Sequence, residues 1–301
     1  MKRAAYTFIV SLFLCGCATL TKTQIESVNQ FGQTTKNFSA FPSKIMVELA
    51  DIRFKRGLYY ANTLTDSKLH IGELDDIYNQ RLLDYEISDK VDITFKIIDK
   101  YAQSLVLLSS DKYTTDLEKQ AKNFGVDIDT LIALNNSIKN STKVPTGIGN
   151  SIGKLVVLGG DQFIKTKQAK EIKKFMTAAD TLITVMTGNL IEYLESKNIQ
   201  ELITGEEREI ARNYLSFLQQ TPRVTIENER DYMELKSNIH EVKELQKQTL
   251  EATKSLRAAH KKLVQVIKKK KDLKECIKEL QGLYEEVKDL KETVQKIETN
   301  K

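Results

Sequence analysis

The sequence predicts an all-α protein, an elongated helical bundle with a long C-terminal heptad (coiled-coil-like) helix, and three observations carry that expectation. Its 301 residues hold only three prolines and no tryptophan, while Lys, Glu, Leu and Ile are abundant, a mixture that favours helices over sheets. Charged residues make up 29% and apolar ones 41%, which is the balance of a globular chain and not of a disordered one. Apolar residues recur at three- and four-residue steps through most of the chain and settle into heptads after Pro222.

The first sixteen residues stand apart. Lys2 and Arg3 precede an apolar stretch from Ala4 to Leu14, and Leu14-Cys15-Gly16-Cys17 follows, the layout of an export signal. The stretch is shorter than the ~20 residues that a bilayer core requires, so it reads as a signal and not a spanning helix. Gly16 directly before Cys17, with an aliphatic residue three positions before that cysteine, resembles the lipobox of bacterial lipoproteins. The resemblance covers about the first twenty residues. It implies that the Cys17 thiol is diacylated, that the chain is cut in front of it, and that the new amino group is usually acylated as well. Several acyl chains on one residue make a stable anchor, since each buried methylene contributes about 0.8 kcal/mol. In lipoproteins of this type an aspartate after the cysteine often retains the protein at the inner membrane. Here the residue is Ala18, which implies the outer membrane, periplasmic side or surface, in a Gram-negative organism.

These features divide the chain into a signal peptide (1–16), a lipidated tether (17–24), a helical bundle (25–222) and a heptad helix (223–301) that packs on the bundle or on a partner chain. Ile25, Val28, Phe31, Phe38, Ile45, Leu49 and Ile52 mark the first helical stripe, and Pro42 kinks or restarts it. Residues 58–86 resist assignment, because Leu58-Tyr59-Tyr60-Ala61 is partly strand-like and Gly57 and Gly72 interrupt a helix. Ser88 is the expected N-cap of a helix whose stripe is Val91, Phe95, Ile98, Ala102, Leu105 and Leu108. A pair of short helices is expected at 113–124 and 128–136, with Gly125 between them. The stripe Ile172, Phe175, Met176, Ala179, Leu182, Ile183, Met186, Leu190 and Leu194 is the best candidate for the core.

In the heptad segment, with Val242 as position a, the d positions Leu245, Ala252, Ala259, Val266, Leu273, Leu280, Val287 and Val294 are all apolar. The a positions are Val242, Thr249, Leu256, Leu263, Lys270, Ile277, Tyr284 and Lys291. An unbroken helix over some 65 residues would reach roughly 100 Å. Lys at two a positions argues against one uninterrupted homodimeric seam, since each would bury a charge.

Removal of Lys2 and Arg3 takes the formal charge from +5 to +3, too small to suggest a nucleic-acid partner. With Cys15 lost and Cys17 acylated, Cys276 is the only free thiol, which leaves disulfide pairing open only between chains.

Val144 to Ile164 holds five of the thirteen glycines. Gly149-Asn150-Ser151-Ile152-Gly153 matches the nucleophile elbow of serine hydrolases, but no repeated strand–helix pattern surrounds it, and His240 and His260 both lie in the heptad segment. A phosphate loop fails on spacing, with Ile148 where glycine is required and Leu155 where Ser or Thr would bind magnesium. The plain reading is close approach of two helices at Gly149 and Gly153, with a bend at Gly159-Gly160. A membrane-inserting element at 144–164, as in helical cytolysins, is the sharper one, made costly by Lys154 and Asp161.

Leu117 to Asn136 resembles the paired-helix centre of the LysM module, which implies peptidoglycan binding with Asn135 and Asn136 as candidate glycan contacts. It departs from that module in lacking a preceding strand and a glycine at the head of the first helix, and an ordinary helical hairpin capped at Gly125 fits the same residues. Lys261, Lys262, Lys268, Lys269, Lys270, Lys271 and Lys274 concentrate seven positive charges in fourteen residues. Such a run is a solvated helix face or a contact for an anionic surface. Tyr101-Ala102 to Ser109-Ser110-Asp111, with Lys167-Gln168-Ala169-Lys170, loosely resembles helical lipoproteins and exported bacterial proteins of unassigned function.

The expected function is therefore a lipid-anchored cell-envelope protein with a structural or protein-interaction role and no catalysis. It carries no catalytic or metal-ligating residues and no cofactor beyond the covalent lipid on Cys17. Its partners are the membrane through the anchor and another envelope protein, or itself, through the heptad helix. Peptidoglycan binding through the LysM-like hairpin and cytolysin-like membrane action are the alternatives.

Overall fold

A computed structural model describes residues 20–41, 43–110, 115–137, 164–269 and 273–299. They form α1 (Lys22–Phe38), α2 (Lys44–Ala61), α3 (Ser67–Leu108), α4 (Thr115–Ser137), α5 (Ile164–Glu195), α6 (Lys197–Gln220), α7 (Ile226–Lys269) and α8 (Leu273–Thr299). The protein is an all-α bundle, with no strand among the described residues. The signal segment, Cys17, Pro42, the glycine-rich stretch 144–163, Lys270 and Lys271 lie outside the described residues.

α1 starts on a capping box. The Thr21 hydroxyl accepts from the Gln24 backbone N–H (3.2 Å), and the Gln24 side chain accepts from the Thr21 N–H (2.8 Å). Its stripe Val28, Phe31 and Phe38 is fully buried. A Cβ on Gly32 would lie 3.0 Å from the Ala102 carbonyl oxygen and 2.9 Å from Val106 Cγ2, so the missing side chain is what lets α1 approach α3.

Residues 58–86 hold no strand: they form the end of α2, a turn over 62–66 and the first half of α3. Gly57 does not break α2. It is the point where α3 comes closest, since a Cβ there would meet Ile77 Cγ1 at 2.9 Å. Asp66 caps α3 by accepting from the Lys68 and Leu69 backbone N–H groups. Ser88, expected as a cap, sits in mid-helix, where its hydroxyl donates to the Ser43 carbonyl across to the start of α2. A serine that bonds to a neighbouring helix leaves the helix through it intact.

Where a hairpin is expected over 113–136, the described residues form a single helix, since α4 runs unbroken from Thr115 through Gly125. An interior glycine costs about 1 kcal/mol. That is outweighed by Ile128 and Ile132, both fully buried as α4 packs on α3, and by the Lys100–Asp127 ion pair at 3.1 Å.

All nine residues of the 172–194 stripe are buried, and α5 packs chiefly against α7. The heptad segment folds into two helices. α7 and α8 make the most extensive helix–helix contact in the bundle, and Lys262 pairs with Glu275 across it. Glu251 and Glu286 also face each other, and this second pair keeps the same residue sum as the first, which defines an antiparallel hairpin. The α7 positions behave as the heptads predict, with Val242, Leu245, Thr249, Ala252, Leu256, Ala259, Leu263 and Val266 fully buried. In α8 the register shifts by one residue. The d positions Leu280, Val287 and Val294 stay inside, but their partners are Cys276, Leu283, Leu290 and Ile297, while Tyr284 and Lys291 face outward. α8 is a separate helix from Leu273 onward, so its inner face need not continue the phase of α7 and lies between the d positions and the residues one before each a position. No lysine charge is buried at position 291 as a result.

Every helix contributes to one continuous core. The thiol of Cys276 lies wholly inside it, and burial pushes that thiol up to about 11. The disulfide between chains that the sequence leaves open is thereby closed off in the folded protein.

Candidate functional site

Three features depart from an ordinary helical core. The first is a buried polar centre. His260 on α7 is 1% exposed, and its Nε2 lies 2.8 Å from the Tyr101 hydroxyl of α3. The other ring nitrogen, Nδ1, lies 3.5 Å from Asp180 Oδ1 on α5. It faces a carboxylate that can only accept, so the ring proton of the neutral imidazole belongs on Nδ1 and Nε2 accepts from the Tyr101 O–H, which burial keeps protonated. Phe31 of α1 completes the enclosure at 5.7 Å between ring centroids. Burial pushes His260 down to about 3, with Lys268 adding in the same direction. The Asp180 carboxylate acts the opposite way, but it is partly solvated and shared with Lys268 Nζ at 3.9 Å, so desolvation of the imidazolium dominates. This neutral imidazole has no path to a substrate. Its effect is to tie α1, α3, α5 and α7 together through a bond that only one packing satisfies.

The second feature is an ion-pair network between α2, α3 and α6. Glu206 accepts from Arg53 Nε at 2.8 Å and from Arg56 Nε at 2.5 Å, and Arg53 also reaches Asp84 at 2.7 Å. Nearby, Arg81 bonds Asp51 at 2.8 Å and stacks over the Phe54 ring at 4.4 Å. The three guanidiniums are matched by three carboxylates. The network therefore holds α6 and α3 on α2 and offers no surplus charge to an anion.

The third is a surface. In its first half α3 contacts α2, while α4, α1 and α5 cover its C-terminal half. Over Ser67 to Ile87 only Ile77 and Asp84 are buried, yet Leu69, Ile71, Leu74, Tyr78, Leu82, Leu83 and Ile87 are large, apolar and exposed. Ile71, Leu74, Tyr78 and Leu82 follow one another at three- and four-residue steps, and so lie along one face, with Tyr78 58% and Leu82 49% exposed. Glu73, Asp75, Asp76, Glu86 and Asp89 border this stretch against Lys68, Arg81 and Lys90. Exposed Leu215, Leu218, Ile226 and Met233 lie at the same end of the bundle, where Tyr59 meets Tyr214, Phe217 and the Asn228 carbonyl. Large apolar side chains in a row along one exposed helix face are unusual, which makes this face a candidate interaction surface.

The residues singled out in the sequence fall elsewhere. The heptad face is consumed inside the α7–α8 hairpin and its packing on α1 and α5. Asn135 is buried at 6% and lies beside Asn136 in the last turn of one continuous helix, so the paired-helix geometry behind the glycan-binding reading is not formed. Lys261, Lys268, Lys269 and Lys274 are exposed near the tip of the α7–α8 hairpin, and Lys262 is paired with Glu275. The α3 face was missed because its glycines were read as interruptions, although the step from Ile71 to Leu82 carries the helical period.

No family model matches the chain, and no curated protein and no solved structure matches it.

Proposed function

We propose that this chain is a lipid-anchored cell-envelope protein, non-catalytic, that acts by binding another envelope protein on the exposed face of α3. The single observation that carries the interaction reading is the apolar row Ile71, Leu74, Tyr78 and Leu82, left uncovered in a bundle whose other stripes are buried. The anchor rests on the lipobox ending at Cys17, five residues before α1 begins. The carboxylates that border the row select the partner. An amphipathic helix with apolar residues on one face and Lys or Arg at its margins would cover the row and neutralise its rim, in the manner of helix recognition by grooves and faces. A partner with acidic margins would be repelled.

The test places a photoreactive side chain at Tyr78 in the full chain in intact cells and maps the crosslinked peptide. The expected product joins Tyr78 to a Lys- or Arg-flanked apolar helix of a different protein, and Leu74→Glu with Leu82→Glu abolishes it. Crosslinks to a second copy of this chain, or none, overturn the interaction reading. Labelled palmitate that fails to reach the wild-type chain, or that persists on Cys17→Ser, overturns the anchor.

A further inference from the structure

The start of α1, five residues after Cys17 in the sequence, lies at the same end of the bundle as the described lysines of the run. The Gln24 side chain, in the first turn of α1, donates to the Val266 carbonyl near the end of α7 at 3.3 Å. From Cys17 to Lys22 is five residues, which span at most about 18 Å when fully extended. Lys268 and Lys269 follow Val266 within one turn, and Lys274 opens α8. Lys261, Lys268, Lys269 and Lys274 are all exposed there, and Lys22 adds an almost fully solvated ammonium at the start of α1. Of the acidic groups described there, Glu275 pairs with Lys262, Asp180 lies 3.9 Å from Lys268 and Glu26 lies 3.7 Å from Lys22, which leaves the lysines in excess.

From this juxtaposition we infer that the tip of the α7–α8 hairpin is a membrane contact, an anionic-phospholipid surface site that works beside the acyl chains. The inference rests on the proposed lipidation of Cys17 for its biological setting, because five residues keep the start of α1, which Gln24 bonds to the end of α7, within about 18 Å of the anchored residue. One anchor lets a protein tumble about its attachment, whereas an anchor and a charged patch together set its orientation. With the lysine tip on the bilayer, α3 points its first half away from it. Tyr78 lies thirty residues before the end of α3, about 45 Å further out. The exposed apolar face is then held clear of the lipid and available to a protein.

The experiment separates this site from the anchor by using the chain from Ala18 onward, without acyl groups. The described core begins after that point, at Leu20, so this chain keeps every core residue. Its sedimentation with vesicles of phosphatidylcholine alone is compared with that of vesicles containing one-third phosphatidylglycerol. Binding to the anionic vesicles only is expected. Each lysine close to a charged surface accounts for roughly fivefold in partition, so the variant K261Q/K268Q/K269Q/K274Q falls by at least about tenfold, and added salt does the same. Lys68→Gln, at the far end, leaves partition unchanged. Equal binding to both vesicles, no binding to either, or unaltered binding of the fourfold variant overturns the site, while palmitate labelling of Cys17 stands or falls separately. Tighter binding to soluble polyphosphate than to the anionic vesicles would reassign the tip to a polymer and overturn the lipid assignment.

Discussion

Acidification should destabilise this protein well above the pH at which its carboxylates titrate, and His260 sets the size of the effect. An imidazole that titrates near 6.5 in the unfolded chain is pushed down to about 3 in the core. The unfolded state therefore binds a proton that the native state refuses throughout that interval. The usual sign for a histidine is reversed here: stability is full above about pH 6.5 and is lost as pH falls from there toward 3. Integration over the interval gives a loss of about 2 kcal/mol by pH 5 from this one residue, and roughly 4–5 kcal/mol at the lower limit. The groups facing His260 are Tyr101, which stays protonated, the Asp180 carboxylate, and Lys268, which opposes protonation. The assay is urea unfolding followed by far-UV circular dichroism at about pH 7.5 and pH 5, on the wild type and on His260→Gln. The wild type should lose about 2 kcal/mol more than the variant between the two conditions. The variant is less stable at the higher pH, so the comparison is between slopes and not absolute values. If the two chains lose the same amount, Asp180 outweighs burial and the neutral-imidazole assignment is wrong.

Two further expectations follow from the packing. In the α7–α8 hairpin, Leu280→Glu places a charge at a position 2% exposed and should cost about 4 kcal/mol, a fall of roughly 10 °C in melting temperature, with the sedimentation coefficient unchanged. Tyr284→Glu, one position a in the sequence register yet 50% exposed, should stay within about 0.5 kcal/mol of wild type, and the reverse order of the two would show the shifted register to be wrong. Among the helix glycines, Gly72→Ala, Gly205→Ala and Gly282→Ala meet nothing within 4 Å and should each stabilise by about 0.5–1 kcal/mol. Gly32→Ala meets a backbone oxygen at 3.0 Å and should instead destabilise, as thermal melts of the four variants would show.

The helices with one buried face were legible because burial leaves a period. The stripe from Ile172 to Leu194 and the α7 heptads could be read residue by residue, since polar residues fill the remaining positions. Two things hid the rest. The register in α8 was carried forward from Val242 across a break that the apolar d positions conceal: Leu280, Val287 and Val294 fit either neighbour set, and only Leu283, Leu290 and Ile297 distinguish them. Lys291 at position a was the contradiction that should have moved the register, because a buried lysine in a hairpin seam costs more than a one-residue shift. At 58–86 the difficulty is different. There Ile77 faces α2 while Ile71, Leu74, Tyr78 and Leu82 face outward, so apolar residues lie on both sides of one helix and no clean stripe remains.

Of the two arrangements open to the heptad segment, packing on its own bundle or on a partner chain, the α7–α8 hairpin and its contacts with α1 and α5 supply the first. A regular heptad has to be covered, and the nearest cover for α7 is the next segment of its own chain, reached within four residues after Lys269. Intramolecular closure over so short a connection costs little entropy compared with association of two chains. Regularity therefore marks what the fold satisfies by itself. The first half of α3 has no such recourse: it buries one side on α2, and α4, which follows it in the chain, folds back over its C-terminal half. In the proposed function this apolar face, which breaks the amphipathic pattern and has α2 as its neighbour among the described residues, is the one that an external partner completes. On that proposal the carboxylates beside the face favour a cationic partner over an acidic one.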